Sequence, residues 1–336
     1  MALVAAWTVV AQPASATAVP LALCANPGPP TSPIQHVMIV MLENQSFPAV
    51  VGPKSKAPYE NGTLAVQCGL ATTMFGVTHT SAANYLATTA GTFPASTVGG
   101  CGTVKACSST SDNLFRQLSY APGSWRAYEE SMPSPCFGAG APGYKIGHNP
   151  ALFYHLAACS RSDMAVPDLT AQSGALWEDL SSQTMPSLAW VTPNLTDDGE
   201  GPQTVAAADA WLQRFLTTVA ATPAYQSGSL LVVVTYDEGT GPDSKRGEDC
   251  TNQAADLAGL QGSCHIAAFV VYPWASGADP TFFDHYSLTR TVEEIFGLPL
   301  LAGAATATSL LGHFGLPAAA LSHHQPGRPR QPAPTG

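Results

Sequence analysis

The sequence is poor in charge, and poorest in basic residues. Charged side chains make up 11% of 336 residues, and 13 Lys and Arg stand against 23 Asp and Glu, for a net charge of −10. That shortage excludes a nucleic-acid binder working through a basic surface. It also means that an anionic substrate would be repelled unless a bound cation intervened. The cysteines contain no Cys-x-x-Cys pair, which disfavours a zinc cluster. There is no internal repeat. No apolar run reaches the roughly 20 residues of a membrane span. The run at 2–11 is short, lacks a charged segment before it, and leads into Pro13-Ala14-Ser15-Ala16, the pattern of a secretory signal with an Ala-x-Ala cleavage site. Leu23 ahead of Cys24 argues against a lipid anchor.

What is present is a large apolar fraction, 45%, enough for a sizeable core in one large domain or two small ones. The eight cysteines are Cys24, Cys68, Cys101, Cys107, Cys136, Cys159, Cys250 and Cys264. An even count behind an export signal predicts four disulfides and a secreted, extracytoplasmic protein. Pairing between sequence neighbours is the expectation, although spacing alone does not fix connectivity. The expected layout is a signal peptide at 1–18, a Pro/Ala-rich leader at 19–33, a catalytic domain at 34–316 and a disordered tail at 317–336.

Strands are expected at 36–42, 187–192, 229–236 and 266–271, from runs of aliphatic and β-branched residues. Helices are expected at 82–92, around Trp211, Leu212, Phe215, Leu216 and Val219, and at 287–296, where Gly297 and Pro299 stop the chain. Residues 95–112 and 123–147 read as long loops, of the kind that usually serve function. Alternating strands and helices imply an α/β fold with a mostly parallel central sheet covered on both faces.

Two of these strands end in acids: Leu42 is followed by Glu43-Asn44, and Thr235-Tyr236 by Asp237-Glu238. Ligands of open α/β sheets bind beyond the carboxyl ends of the strands. Carboxylates gathered there repel one another unless protons or cations lie between them. The sequence therefore points to a metal-assisted hydrolase.

Five segments carry a further signal in chain order. They are Glu43-Asn44-Gln45-Ser46-Phe47, the stretch Thr78-His79-Thr80-Ser81-Ala82-Ala83-Asn84-Tyr85-Leu86, Thr192-Pro193-Asn194 with the acidic turn after it, Thr235-Tyr236-Asp237-Glu238, and Asp284-His285-Tyr286-Ser287 running to Phe296-Gly297-Leu298-Pro299. Together they resemble the bacterial phosphoesterase family of secreted acid phosphatases and phospholipases C, on the alkaline-phosphatase-like fold. Within it the chain is most similar to actinobacterial secreted acid phosphatases of the phosphatidylinositol-3-phosphatase type. The resemblance implies a divalent metal and a hydroxyl nucleophile that is transiently phosphorylated.

Carried onto this chain, the resemblance makes Ser81 the nucleophile, with Thr80 and Thr78 as fallback hydroxyls and Asn84 as a phosphoryl-oxygen donor. Glu43, Asn44, Asp237 and Glu238 hold a metal on the nucleophile side. Asp198 and His285 make a second metal position. Relatives have a His before a Gly in the acidic turn, where this chain has Glu200 before Gly201. Either Glu200 replaces that ligand or the second position is weakened or absent. His79 and His148, the latter in a His148-Asn149-Pro150 loop, are candidates to protonate the leaving group. The all-carboxylate set suits Mg²⁺, Mn²⁺ or Ca²⁺ as well as Zn²⁺. The expected function is an exported phosphatase acting on phosphate monoesters, phosphoinositides among them. The alternatives are a phospholipase C acting on diesters and an exported binding protein without catalysis. No nucleic-acid partner and no stable membrane insertion are expected.

Overall fold

The computed structural model describes residues 22–120, 123–157, 159–200, 205–241, 244–250 and 262–318. The expected signal peptide and nearly all of the expected tail lie outside these. Eight strands form one sheet: β1 His36–Leu42, β2 Gly69–Phe75, β3 Trp125–Glu130, β4 Asp163–Val166, β5 Leu188–Thr192, β6 Leu230–Tyr236, β7 His265–Val271 and β8 Gly277–Asp284. Their order is β4-β3-β5-β1-β6-β7-β2-β8. Strand β7 runs antiparallel to both neighbours, and every other pair is parallel.

The strands expected from the sequence are the central ones. Every residue of β5 and β6 is buried, as is every residue of β1 after His36. Strands covered on both faces must be apolar throughout, which is why they read as continuous aliphatic runs. The segment 123–147 is not a loop along its whole length. It opens with β3, whose Arg126, Glu129 and Glu130 disguise a strand. Their partners lie far along the chain: Arg126 and Tyr128 bond Asp179, Thr192 donates to Glu129, and the N–H groups of Leu169 and Asn194 bond Glu130.

The helix Ser81–Ala90 is rich in alanine, and nine of its residues are buried. It ends at Gly91, whose φ of 65° suits glycine, and whose missing Cβ would stand 2.7 Å from Leu301 O. The last long helix, His285–Phe296, begins two residues earlier than the sequence suggests. Asp284 caps it in a reciprocal capping box with Ser287. The two helices touch: Thr289 Oγ1 donates to Thr88 O at 2.8 Å.

Disulfides join Cys24–Cys68, Cys101–Cys107, Cys136–Cys159 and Cys250–Cys264, the neighbour pairing expected from the sequence. The first of them fastens the described end of the leader, where the Ala25 and Asn26 N–H groups also bond Ala275 O and Pro273 O. Among the described residues no helix is long and apolar enough to cross a membrane.

Candidate active site

Because the sheet is nearly all parallel, the segments after β1, β2, β5, β6 and β8 emerge along one edge. Glu43 follows β1, Ser81 follows β2, Asp198 follows β5, Asp237 follows β6 and His285 follows β8. Glu43, Asp198, Asp237 and His285 are each fully buried. The Ser81 hydroxyl donates to Glu43 Oε2 at 3.0 Å. Asn44 ties the two acids together: its side-chain amide donates to Glu43 Oε2 and its backbone N–H to Asp237 Oδ1, both at 2.9 Å.

Electrostatics at this point are unfavourable for bare carboxylates. Burial pushes the Glu43 carboxyl well above its usual range, and the neighbouring charges of Asp237 and Asp198 push it further. Asp237 is raised in the same way, by burial and then by Glu238. Asp198 is raised to about 7, chiefly by burial. Glu43 Oε1, Asp198 Oδ2 and Asp237 Oδ2 are buried without a hydrogen-bond partner. Buried, orphaned carboxylate oxygens on residues that raise one another's pKa, next to a hydroxyl bonded to one of them, fit a cation-binding site, so the residues present suit a divalent metal.

Of the adjacent pair Asp197 and Asp198, Asp198 is the one that faces the site; Asp197 accepts from Asn194 Nδ2. Gly199 beside it has a φ of 100°, and a Cβ there would meet Glu43 O at 2.9 Å, so the acidic turn approaches β1 as only glycine permits. His148 lies between the acids, with Nε2 3.3 Å from Glu43 Oε1 and Nδ1 3.8 Å from Asp198 Oδ2. Its ring stacks on Tyr85, and burial lowers its pKa.

Several expected residues take other roles. Asn84 is not free to meet a phosphoryl oxygen. Its Oδ1 accepts from the N–H groups of Val77 and Thr78, and its Nδ2 donates to Thr78 O, so the amide is consumed in holding the loop before Ser81. His285 does not reach the carboxylates either. Its ring nitrogens lie against Asn84 Oδ1 at 3.2 Å and Tyr236 O at 3.0 Å, and burial lowers its pKa to about 4. It is a buried post linking the end of β6 to the Ser81 helix. Glu238 Oε2 accepts from the Thr80 N–H at 2.6 Å and contacts His79 Nδ1 at 3.2 Å. Thr80 Oγ1 donates to Val98 O. His79 Nε2 meets Ser263 Oγ at 3.1 Å and Cys264 Sγ at 3.6 Å.

A cleft of about 330 Å³ opens over the site, lined by Ser81, His148, Asn44, Glu238, Arg246 and Lys145, among others. Glu200 also lines it, but its carboxylate pairs with Lys145 Nζ at 3.0 and 3.3 Å. Lys145 escaped sequence reasoning because a lone lysine in a Gly/Pro-rich loop carries no periodic signal. The adjacent His148-Asn149-Pro150 motif was the one available hint.

The chain belongs to the phosphoesterase family, whose model matches residues 54–299. It is 28% identical to the phosphatidylinositol-3-phosphatase of Mycobacterium tuberculosis, over 83% of each chain. It is 27% identical to the phosphate-repressible acid phosphatase of Penicillium chrysogenum, over 81% of this chain and 63% of that one. Among solved structures, an alkaline phosphatase superfamily protein from Vibrio parahaemolyticus matches with a TM-score of 0.52 and 14% identity, over 82% of this chain and 71% of that one. The lipoteichoic acid synthase LtaP of Listeria monocytogenes matches with a TM-score of 0.54 and 13% identity, over 79% and 72%. The fold is that of the alkaline phosphatase superfamily, and the chain is a phosphoric ester hydrolase. Its four disulfides fit an oxidising, extracytoplasmic setting.

Proposed function

We propose that the chain is an exported phosphatase that hydrolyses phosphate monoesters through a phosphoserine on Ser81. The observation that carries this reading is the Ser81 hydroxyl donating to Glu43 Oε2 at 3.0 Å, beside orphaned oxygens on Glu43 and Asp237. Glu43 and Asp237 would hold the divalent cation, with Asp198 nearby. That cation would supply charge stabilisation for the phosphoryl oxygens and the serine oxygen.

Ser81 sits at the first turn of its helix, where backbone N–H groups favour an anion. Its hydroxyl donates to Glu43 Oε2, and the residue lines the cleft. Attack forms the Ser81 Oγ–P bond and breaks the bond to the alcohol, and the proton given up by Ser81 ends on the departing alcohol oxygen. Water then attacks phosphorus, the Oγ–P bond breaks, one water proton returns to Ser81 Oγ, and inorganic phosphate departs. His148, whose burial favours the neutral ring, lines the cleft between Glu43 and Asp198 and would relay the Ser81 proton to the leaving oxygen. Asn84 and His285 act by fixing the loop that presents Ser81.

The headgroup phosphate of an inositol lipid is one such monoester, and the name of the M. tuberculosis relative supports trying it. Ser81→Ala is expected to lower kcat for nitrophenyl phosphate by at least about 10³-fold while the protein stays folded. Intact-mass analysis of acid-quenched wild type should show a covalent phosphate that the variant lacks. A Ser81→Ala enzyme with undiminished turnover would remove Ser81 from the mechanism.

A further inference from the structure

The cleft holds more acid than base. Glu43 and Asp237 are buried beside Ser81, Asp198 lies against His148, Glu238 and Glu200 line the walls, and the cationic side chains among the lining residues are Lys145 and Arg246. A single divalent cation shared by Glu43 and Asp237 would leave the site without net positive charge. A phosphate monoester brings two negative charges when fully ionised, and a diester one. Something else must therefore meet the second charge.

Lys145 is placed to do so. It comes from the loop after β3, lines the same cleft as Ser81 and His148, and feels the charges of Glu43 and Asp237 as well as that of Glu200. Arg246 also lines the cleft, with one guanidinium nitrogen donating to Gly99 O. The Glu200 carboxylate that holds Lys145 belongs to the acidic turn, where its own N–H donates to Asp198 Oδ1 at 2.8 Å. Both partners of the pair are about two-fifths exposed, 40% and 41%. An ion pair this wet is weak, so exchanging Glu200 for a phosphoryl oxygen costs little. Lysine is a mobile point charge with three donors, which lets it swing between the two anions.

We propose that Lys145 is the phosphoryl-binding cation that makes the enzyme prefer monoesters over diesters, with Glu200 as its resting counter-ion rather than a metal ligand. This rests on the reading of Ser81 as the phosphoryl acceptor.

The test compares wild type, Lys145→Met and Glu200→Gln as metal-loaded enzymes. Each is assayed on nitrophenyl phosphate and bis(nitrophenyl) phosphate, with inorganic phosphate as inhibitor. Lys145→Met should lower kcat/KM for the monoester by about 10- to 100-fold, the scale of one lost hydrogen bond to a charged group. It should change the diester by less than about 3-fold and weaken phosphate inhibition about 10-fold. Glu200→Gln should tighten phosphate inhibition, because the ammonium loses its competitor. Equal losses on both esters with unchanged phosphate inhibition would overturn the proposal. If Lys145→Met fails to fold, Glu200→Gln decides, and weaker phosphate inhibition there overturns it. A wild-type enzyme inert toward both esters would overturn the Ser81 reading instead, and calorimetry of inorganic phosphate binding would then judge Lys145 independently.

Discussion

Asn84 holds the backbone ahead of Ser81 with both ends of its amide. Two backbone N–H groups, of Val77 and Thr78, end on its side-chain oxygen inside the protein. Replacing it by alanine leaves both donors buried without an acceptor, at about 1–3 kcal/mol each. Asn84→Ala is thus expected to lower unfolding free energy by about 2–6 kcal/mol in a denaturant titration, and to slow turnover because the Ser81 loop slackens. An unchanged midpoint would mean that the loop is held by something else. The loop before Ser81 is also strained one residue earlier. Thr80 has a φ of 151°, a conformation an L-residue rarely adopts, and its N–H is clamped by Glu238. Asn84, expected at a phosphoryl oxygen, and His285, expected at a second metal, instead lie against each other at 3.2 Å.

At the scale of elements, legibility followed burial. Strands β1, β5, β6 and β7 were readable because each is buried almost throughout, so each is a continuous apolar run. Glu43 and Asp237 inherited that clarity, since each sits one residue past such a run. The outer half of the sheet was opaque for physical reasons. Strand β8 lies at an edge, is mostly unburied, and contains Pro280, which only an edge strand tolerates. Strand β4, at the other edge, has four residues. Strand β2 carries Gly69, Ala71, Thr72 and Thr73, too small and polar to stand out. The charged side chains of β3 are satisfied by Asp179 and by loop backbone, an arrangement that exists only once distant segments meet. The same limit hid Lys145, whose meaning depends on Glu200 across 55 residues of chain.

The whole molecule carries its acids in a way that ties stability to pH. Away from the catalytic cluster, burial raises Glu60 to about 8 and Asp163 to about 7. Both bind a proton more tightly folded than unfolded. The stability they contribute is complete below their unfolded values of about 4, and it is lost as pH rises through the folded values. Stability should therefore fall between about pH 4 and pH 8, opposite to a protein held by salt-bridged carboxylates. Thermal melts of chelator-treated protein at pH 5 and pH 8 check this, with the higher Tm expected at pH 5 and a flatter profile in Glu60→Gln. A higher Tm at pH 8 would contradict it.

The central claim is that buried acids from separate strand ends share one divalent cation beside Ser81, and metal titration tests it most directly. Chelated wild-type protein, followed by calorimetry and by activity on nitrophenyl phosphate, should take up a divalent cation and regain turnover together, while Asp237→Asn binds the metal at least about 10-fold more weakly. Full activity in the metal-stripped enzyme, or equal affinity in Asp237→Asn, would contradict the account.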